Sequence, residues 1–409
     1  MEFVKLDICT IMDPSTVPDE TISKLVREVE ESLQDNEEYQ KLREIVGTRD
    51  KLSRFLIARQ LNVEKTTELI VNHLQWRKEN NADKIRELML NKPFLTGSFP
   101  HSDELRSLGF GMMHTAVDAG KSRTGEVVVI EVLGAEGQSD NISEEDMVLV
   151  DKLTEHYIGF FEKRALVLEQ CSKEQSRLVC SFQIRDVSKL SFMPRAGAFT
   201  VLQRIIAVGM NNYPESSSTV LLLSPSTIFS GIFAIVKRWL PEEVSRKFKT
   251  VAKQDVPMEI LKYVRPSVLV ALQDMHAGKH GDDVCRELNG DAQFTAEKGE
   301  KKMEIAVAAR DFHYLYYKLG DDGYTSVTWQ RLNAEESPNS TVVAKIFYVE
   351  NGTESKSANE VKIKTVAIPG TSATLPQVEG VREALLCLSL DHTSAWFQPH
   401  TFKLSITCK

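Results

Sequence analysis

Residues 211–240 read NNYPESSSTVLLLSPSTIFSGIFAIVKRWL, and the fold follows from how this stretch is parsed. A polar loop with one carboxylate, Glu215, comes first. Thr219 to Leu223 follows, with the length and composition of a strand buried on both faces. Ser224 and Pro225 then suit a helix start, serine as N-cap and proline at the first helical position, where its missing N–H costs nothing. Within that helix Ile228, Ile232, Ile235 and Trp239 recur at helical spacing, and so do Phe229, Phe233, Val236 and Leu240. Two adjacent stripes make an apolar face wider than a one-sided surface helix needs. The helix must therefore meet apolar material on more than one side: core, a partner, a membrane surface or a hydrophobic ligand. A membrane span is not expected. The run from Val220 to Val236 is interrupted at Ser224, Pro225 and Ser226, ends at Lys237 and Arg238, and falls short of the ~20 residues a bilayer core requires.

Upstream, strand and helix alternate. Glu126 to Leu133 reads as a buried strand, Asp146 to Glu169 as a long helix, Leu178 to Val187 as a second strand and Phe199 to Met210 as a helix. Thr250 to Ala252 suits one more strand. This alternation implies an α/β layer architecture around a largely parallel sheet. Before it, Thr21 to Ile45 is polar and helical, Asp50 opens a helix with Leu52, Phe55 and Leu56 on one face, and Asn62 caps a third. Arg59 falls on the Phe55 and Leu56 face, whereas Arg54 points elsewhere. An arginine on an apolar stripe snorkels, pairs internally or reaches a polar ligand, because a lone buried charge is costly.

After Gly281 the pattern changes to short alternating runs separated by turn residues. In the last, Phe402, Leu404, Ile406 and Cys408 alternate with Lys403, Ser405 and Thr407. That is the pattern of an antiparallel β-sandwich, with its aromatic residues in the core. A boundary is expected near residue 282.

Bulk properties narrow the function. A chain of 409 residues holds two or three domains, and its hydrophobic (42%) and charged (26%) contents are those of a globular protein. A net charge of −8 argues against general nucleic-acid binding, which needs a basic surface. The six cysteines have neither zinc-ligand nor redox-motif spacing. The start, Met1 to Asp7, lacks a signal-peptide core, so a reducing cytosolic setting is expected. No nucleophile elbow, complete phosphate loop or H-E-x-x-H occurs, and Gly109-Phe110-Gly111 lacks its third glycine. His276 and His280 lie four apart, but Gly278 between them favours a loop over a zinc site. No enzyme and no metal are expected.

Phe55-Leu56-Ile57-Ala58-Arg59, Asn62-Val63-Glu64 and His73 to Asn80 resemble the helical leader of the CRAL-TRIO lipid-transfer family. Asn211 to Glu215, the strand after it and the Ile228 to Leu240 helix are similar to that family's core, and Ala277-Gly278-Lys279 to its closing loop. The tail, through Trp329, Phe347, Ser389-Leu390-Asp391 and Phe402-Lys403, resembles a GOLD domain. The resemblance implies a flexible arm at 1–18, a helical leader at 19–95, a CRAL-TRIO α/β lipid-binding domain at 96–281 and an all-β GOLD-like sandwich at 282–409. It implies an apolar pocket gated by Ile228, Phe229, Ile232, Phe233 and Val236, holding one phospholipid and no other cofactor. In the family's phosphatidylinositol pattern, Arg59, Glu215 and Lys247 match, while Ser216 replaces an arginine and Val244 a threonine. In the choline-lipid pattern Tyr157 and Ser181 match, while Val129 and Gln183 depart.

The implied activity is exchange of a phospholipid, phosphatidylinositol foremost, at cytosolic membrane faces, with the Golgi as a candidate. A transient membrane surface and a protein partner of the GOLD-like domain are the implied partners, and nucleic acid is not. Two alternatives stand beside it: a lipid-sensing adaptor, and a carrier of a neutral isoprenoid such as tocopherol or squalene. Exposing the roughly 30 methylenes of a diacyl lipid would cost on the order of 25 kcal/mol, so extraction requires a cavity that replaces the bilayer almost completely. Lys237 and Arg238 near the gate suit anionic head groups.

Overall fold

The computed structural model describes residues 18–91, 99–108, 114–134, 147–190, 196–289, 298–320, 323–349, 362–368, 370–374, 383–394 and 398–409. The arm expected at 1–18 lies outside them except for Pro18, as does Gly109-Phe110-Gly111.

Five helices form the leader: α1 (Asp19–Leu33), α2 (Glu37–Val46), α3 (Arg49–Ala58), α4 (Val63–Glu79) and α5 (Ala82–Asn91). The helix expected across Thr21 to Ile45 is two, because Asn36 accepts the Tyr39 N–H and caps α2. Thr48, rather than Asp50, opens α3 as its N-cap, and Asn62 caps α4 as the sequence indicates. Val29, Leu33, Leu52, Leu56 and Ile70 close the core of this unit.

The α/β unit follows as α6 (Ser102–Ser107), β1 (Thr115–Ala116), β2 (Val127–Val132), α7 (Met147–Gln175), β3 (Ser181–Asp186), α8 (Ala196–Asn212), β4 (Ser217–Leu223), α9 (Thr227–Lys237), α10 (Glu242–Ser245) and β5 (Phe248–Val251). It ends with α11 (Val256–Leu261), α12 (Pro266–His276) and α13 (Gly281–Leu288). The strands form one sheet in the order β1-β2-β3-β4-β5, parallel from β2 to β5, with β1 antiparallel at one edge. On its back face Val128, Ile130, Phe182, Ile184, Leu221 and Leu223 pack with Val268, Leu269 and Leu272 of α12. Alternation then puts Val129 and Glu131, Ser181, Gln183 and Arg185, and Val220 and Leu222 on the front face. There α7, α8 and α9 cover them.

The start of α9 differs from the expectation. Its N-cap is Ser226, whose hydroxyl accepts the Phe229 N–H at 3.1 Å, and the helix begins at Thr227. Ser224 still donates its N–H to the Val251 carbonyl at 2.8 Å, so the chain is committed to the β4–β5 pairing there. Its φ of +53° then turns the chain away from the sheet. The wide face divides across its stripes: Phe229, Ile232, Phe233 and Val236 are buried on the sheet, while Ile228 and Ile235 are about 40% exposed.

The C-terminal strands are β6 (Gly299–Val307), β7 (Phe312–Gly320), β8 (Ser326–Arg331), β9 (Thr341–Val349), β10 (Ile363–Ile368), β11 (Ser372–Thr374), β12 (Glu383–Asp391) and β13 (His400–Cys408). They make two antiparallel four-stranded sheets, β10-β9-β12-β7 and β11-β8-β13-β6. Trp329, Leu386, Leu388, Phe402, Leu404 and Ile406 fill the space between them, in the alternation the sequence displays. The outer face of the first sheet does not end in solvent. Tyr316, Phe347, Leu385 and Cys387 join the same apolar cluster as α12, and Gln273 of α12 accepts the Tyr316 N–H at 2.7 Å. Helix α13 straddles residue 282, where the boundary is expected, and packs on β1.

Candidate functional site

A parallel sheet covered by helices on both faces is normally apolar on both. The back face obeys this and the front face does not. Along the middle strand, Ser181 donates to the Ser216 carbonyl at 2.9 Å, and the Gln183 amide nitrogen reaches the Ser217 hydroxyl at 2.5 Å. Arg185 stands opposite Glu131 in the register and pairs with it at 2.6 Å. Helix α7 adds Tyr157 and Arg164 beside this pair. Burial, with Glu131 adding to it, pushes the Tyr157 hydroxyl up to about 12. Burial and then the neighbouring Arg185 bring Arg164 down to about 10. The Arg164 guanidinium lies 5.2 and 5.1 Å from the Phe160 and Phe161 ring centres.

The other predicted residues gather at the chain's entry into β4. Glu215 adopts φ of +47°, an unusual conformation for a residue with a side chain, and is held on both sides. Lys247 donates to its carboxylate at 2.8 Å, and Arg54 donates to its carbonyl. Arg54, only 7% exposed, also reaches the Val179 carbonyl at 2.5 Å. Ser216 turns inward to the Tyr213 carbonyl at 2.7 Å.

Glu215 and Lys247 are thus in contact, and Ser181 adjoins them through Ser216. Arg59 does not join them. Helix α3 ends at Ala58, so Arg59 is a C-cap with φ of −114° and does not follow the helical face that its spacing suggested. Its guanidinium donates to the Ala58 carbonyl at 3.2 Å. Arg54 is the leader arginine that meets the Glu215 segment. The sequence reading had Arg54 pointing away from the Phe55 and Leu56 face, and spacing gave no signal for this role.

Behind this corner lies a buried ionic network that periodicity did not reveal. Glu162 of α7 accepts from Arg77 at 2.7 Å, from Arg86 at 3.3 Å and from the Tyr213 hydroxyl at 2.6 Å. Arg77 also binds Asp83 at 2.8 Å, Arg86 binds Glu169 at 2.6 Å, and Lys51 pairs with Glu169 at 3.1 Å. Burial alone would raise the Glu162 carboxyl, but Arg77, Lys51 and Arg86 outweigh it and hold the group at about 2. His73 Nδ1 donates to the Asn212 side-chain oxygen at 2.9 Å, and burial, reinforced by Arg77, lowers the histidine to about 3. These contacts fasten the leader to α7 and to the end of α8.

His276, singled out with His280, pairs with Asp186 at 3.0 Å, and His280 accepts the Asp282 N–H as the cap of α13. Among the described residues no group of three His, Cys, Asp or Glu side chains is placed to hold a metal, and no helix is long and apolar enough to cross a membrane.

Comparison with known proteins gives a consistent picture. Residues 124–272 match the family described as CRAL/TRIO domain. The chain is 28% identical over 222 residues to the SEC14 cytosolic factor of Kluyveromyces lactis, covering 52% of this chain and 67% of that one. It is 25% identical over 219 residues to the phosphatidylinositol/phosphatidylcholine transfer protein SFH9 of Arabidopsis thaliana, covering 53% of this chain and 35% of that one. The chain spans between 26% and 35% of the length of several curated relatives. The crystal structure of Sfh5 aligns with a TM-score of 0.42 at 16% identity, over 57% of this chain and 81% of that one. From the lead-in to β2 through most of α12, the chain therefore matches the CRAL/TRIO domain, with SEC14- and SFH-type proteins among its relatives at low identity.

Proposed function

We propose that the chain binds one phospholipid, phosphatidylinositol foremost, over the front face of the sheet beneath α8 and α9, and exchanges it at membranes. The observation that carries this reading is the state of α8. Leu202, Ile205, Ile206, Val208 and Met210 are apolar, yet each is only partly buried, although the helix packs between α7 and the α9 cluster. Apolar side chains left partly uncovered around a helix line a space that lipid tails would fill. In this reading Glu215, Lys247, Ser181 and Tyr157 contact the head group, with Arg59 at its edge. Phe229, Ile232, Phe233 and Val236 form the inner wall of a gate whose outer side, Ile228 included, meets the membrane. The names of the relatives, which include phosphatidylinositol and phosphatidylcholine transfer, support the substrate class.

The test is to purify the chain, extract it with organic solvent and identify the lipids by mass spectrometry, then measure transfer of labelled phosphatidylinositol between vesicles. Phosphatidylinositol near one per chain, moved between vesicles, supports the reading. A neutral isoprenoid in its place removes the head-group assignment.

A second reading is a lipid-sensing adaptor, in which the GOLD-like sandwich recruits a protein partner. It is favoured by the apolar cluster that Tyr316, Phe347, Leu385 and Cys387 share with α12 directly behind the lipid-facing sheet. Lipid that binds but is never moved between vesicles would select it.

A further inference from the structure

Among the described residues, the front face brings two guanidiniums to one carboxylate. Arg185 Nε and a Glu131 carboxylate oxygen lie 2.6 Å apart as an ion pair but without hydrogen-bond geometry. Arg164 lies 5% exposed beside them, its guanidinium against two phenylalanine rings, and its Nε has no hydrogen-bond partner. Gln183, two residues before Arg185 on the same face and 2% exposed, has a side-chain oxygen without a partner. Among the described residues, Glu131 is the carboxylate that acts on Arg164, against Arg185 and Arg54 of like charge. A buried charge is strongly unfavourable unless something of opposite sign reaches it. The patch also lies toward the carboxyl ends of β2 and β3, where ligands of open α/β sheets bind. Arg185 is roughly 13 Å along the strand from Ser181, the residue that touches the Glu215 corner.

We infer that Arg164 and Arg185, spaced by Glu131, form an inner anion site that takes the single negative charge of an acidic lipid. This rests on the lipid-binding reading and adds to it a site separate from Glu215 and Lys247. Its shared chemistry is a carboxylate or a phosphodiester on apolar tails. A choline head group would bring a quaternary ammonium toward two guanidiniums, so the site discriminates against it.

The experiment loads the delipidated full-length chain with three pyrene-labelled probes: a fatty acid, phosphatidylinositol and phosphatidylcholine. At least one acidic probe is expected to bind roughly tenfold more tightly than phosphatidylcholine. Arg164→Met, which fills the same volume without charge, removes that preference and leaves thermal unfolding unchanged or raised. Glu131→Gln frees Arg185 and tightens the acidic probe; it also decides the matter if Arg164→Met fails to fold. Whether the fatty acid or phosphatidylinositol shows the effect identifies the source of the charge. Equal loading of acidic and choline probes, an unchanged preference in folded Arg164→Met, or no gain in Glu131→Gln overturns the inner site alone. Failure of all three probes to load overturns the lipid reading and the inner site with it.

Discussion

Lys247 donates to the Glu215 carboxylate at 2.8 Å across 32 residues of sequence, while Arg54 of the leader holds the carbonyl of the same Glu215. The lysine and glutamate side chains are 23% and 27% exposed, so their pair contributes little to stability, about 0–1 kcal/mol. In the proposed lipid-binding reading, the lysine is the cation that meets the head group. Lys247→Ala should therefore shift the urea midpoint hardly at all and slow phosphatidylinositol transfer about tenfold, the value of one charge-assisted hydrogen bond. Equal loss of phosphatidylcholine transfer would remove the head-group role.

The Glu162 network makes the opposite prediction. Both Glu162 and Arg77 are fully buried, and removing one partner strands the other. Glu162→Ala should destabilise the chain by roughly 3–5 kcal/mol, read from equilibrium unfolding. A cost below about 1 kcal/mol would mean that the guanidiniums find new partners.

Acid should weaken the fold in a defined window. His73 and His156 are buried, and burial lowers them to about 3 and about 4. Above their unfolded value of 6.5 both states are neutral and stability is flat. As pH falls below 6.5 the unfolded chain binds protons that the folded chain refuses, so stability drops by up to about 1.4 kcal/mol per pH unit for each histidine. Unfolding midpoints at pH 7.5, 6.5, 5.5 and 4.5 should trace this slope, and His73→Gln should reduce it. Glu162 adds its own loss only between 4.5 and about 2, where its depressed carboxyl finally takes a proton.

The outer side of α9 can be tested without touching its packing. Ile228 and Ile235 are exposed, so replacing both with serine should leave unfolding within about 0.5 kcal/mol. Binding to anionic vesicles should fall, because these residues and the exposed Lys237 and Arg238 would be the membrane contact. Unchanged vesicle binding would assign the contact to another surface.

Element type was legible wherever a hydrophobic period ran long enough. Thr219 to Leu223 is a strand and Phe402 to Cys408 alternates as read, since burial of one or both faces dictates residue type directly. Helix ends were less legible. Ser226 rather than Ser224 caps α9 because a backbone bond to β5, invisible in sequence, holds Ser224 in the sheet. The end of α3 at Ala58 likewise makes Arg59 a C-cap, off the helical face that its spacing suggested. The resemblance named Glu215 and Lys247 together, and the structure places them in contact. Arg164 and Glu162 were not, because nothing in a local pattern distinguishes a charge on the solvent side of a long helix from one facing a sheet.

Helix α12 is shared between two cores, one face on the sheet and the other on Tyr316, Phe347 and Leu385. The rear of the parallel sheet is thus packed like the middle of a domain. The front, where α8 is only partly buried, has no such backing. In the proposed reading the molecule is a purse stitched to a board: lipid exchange opens the front, and the β-sandwich is the board.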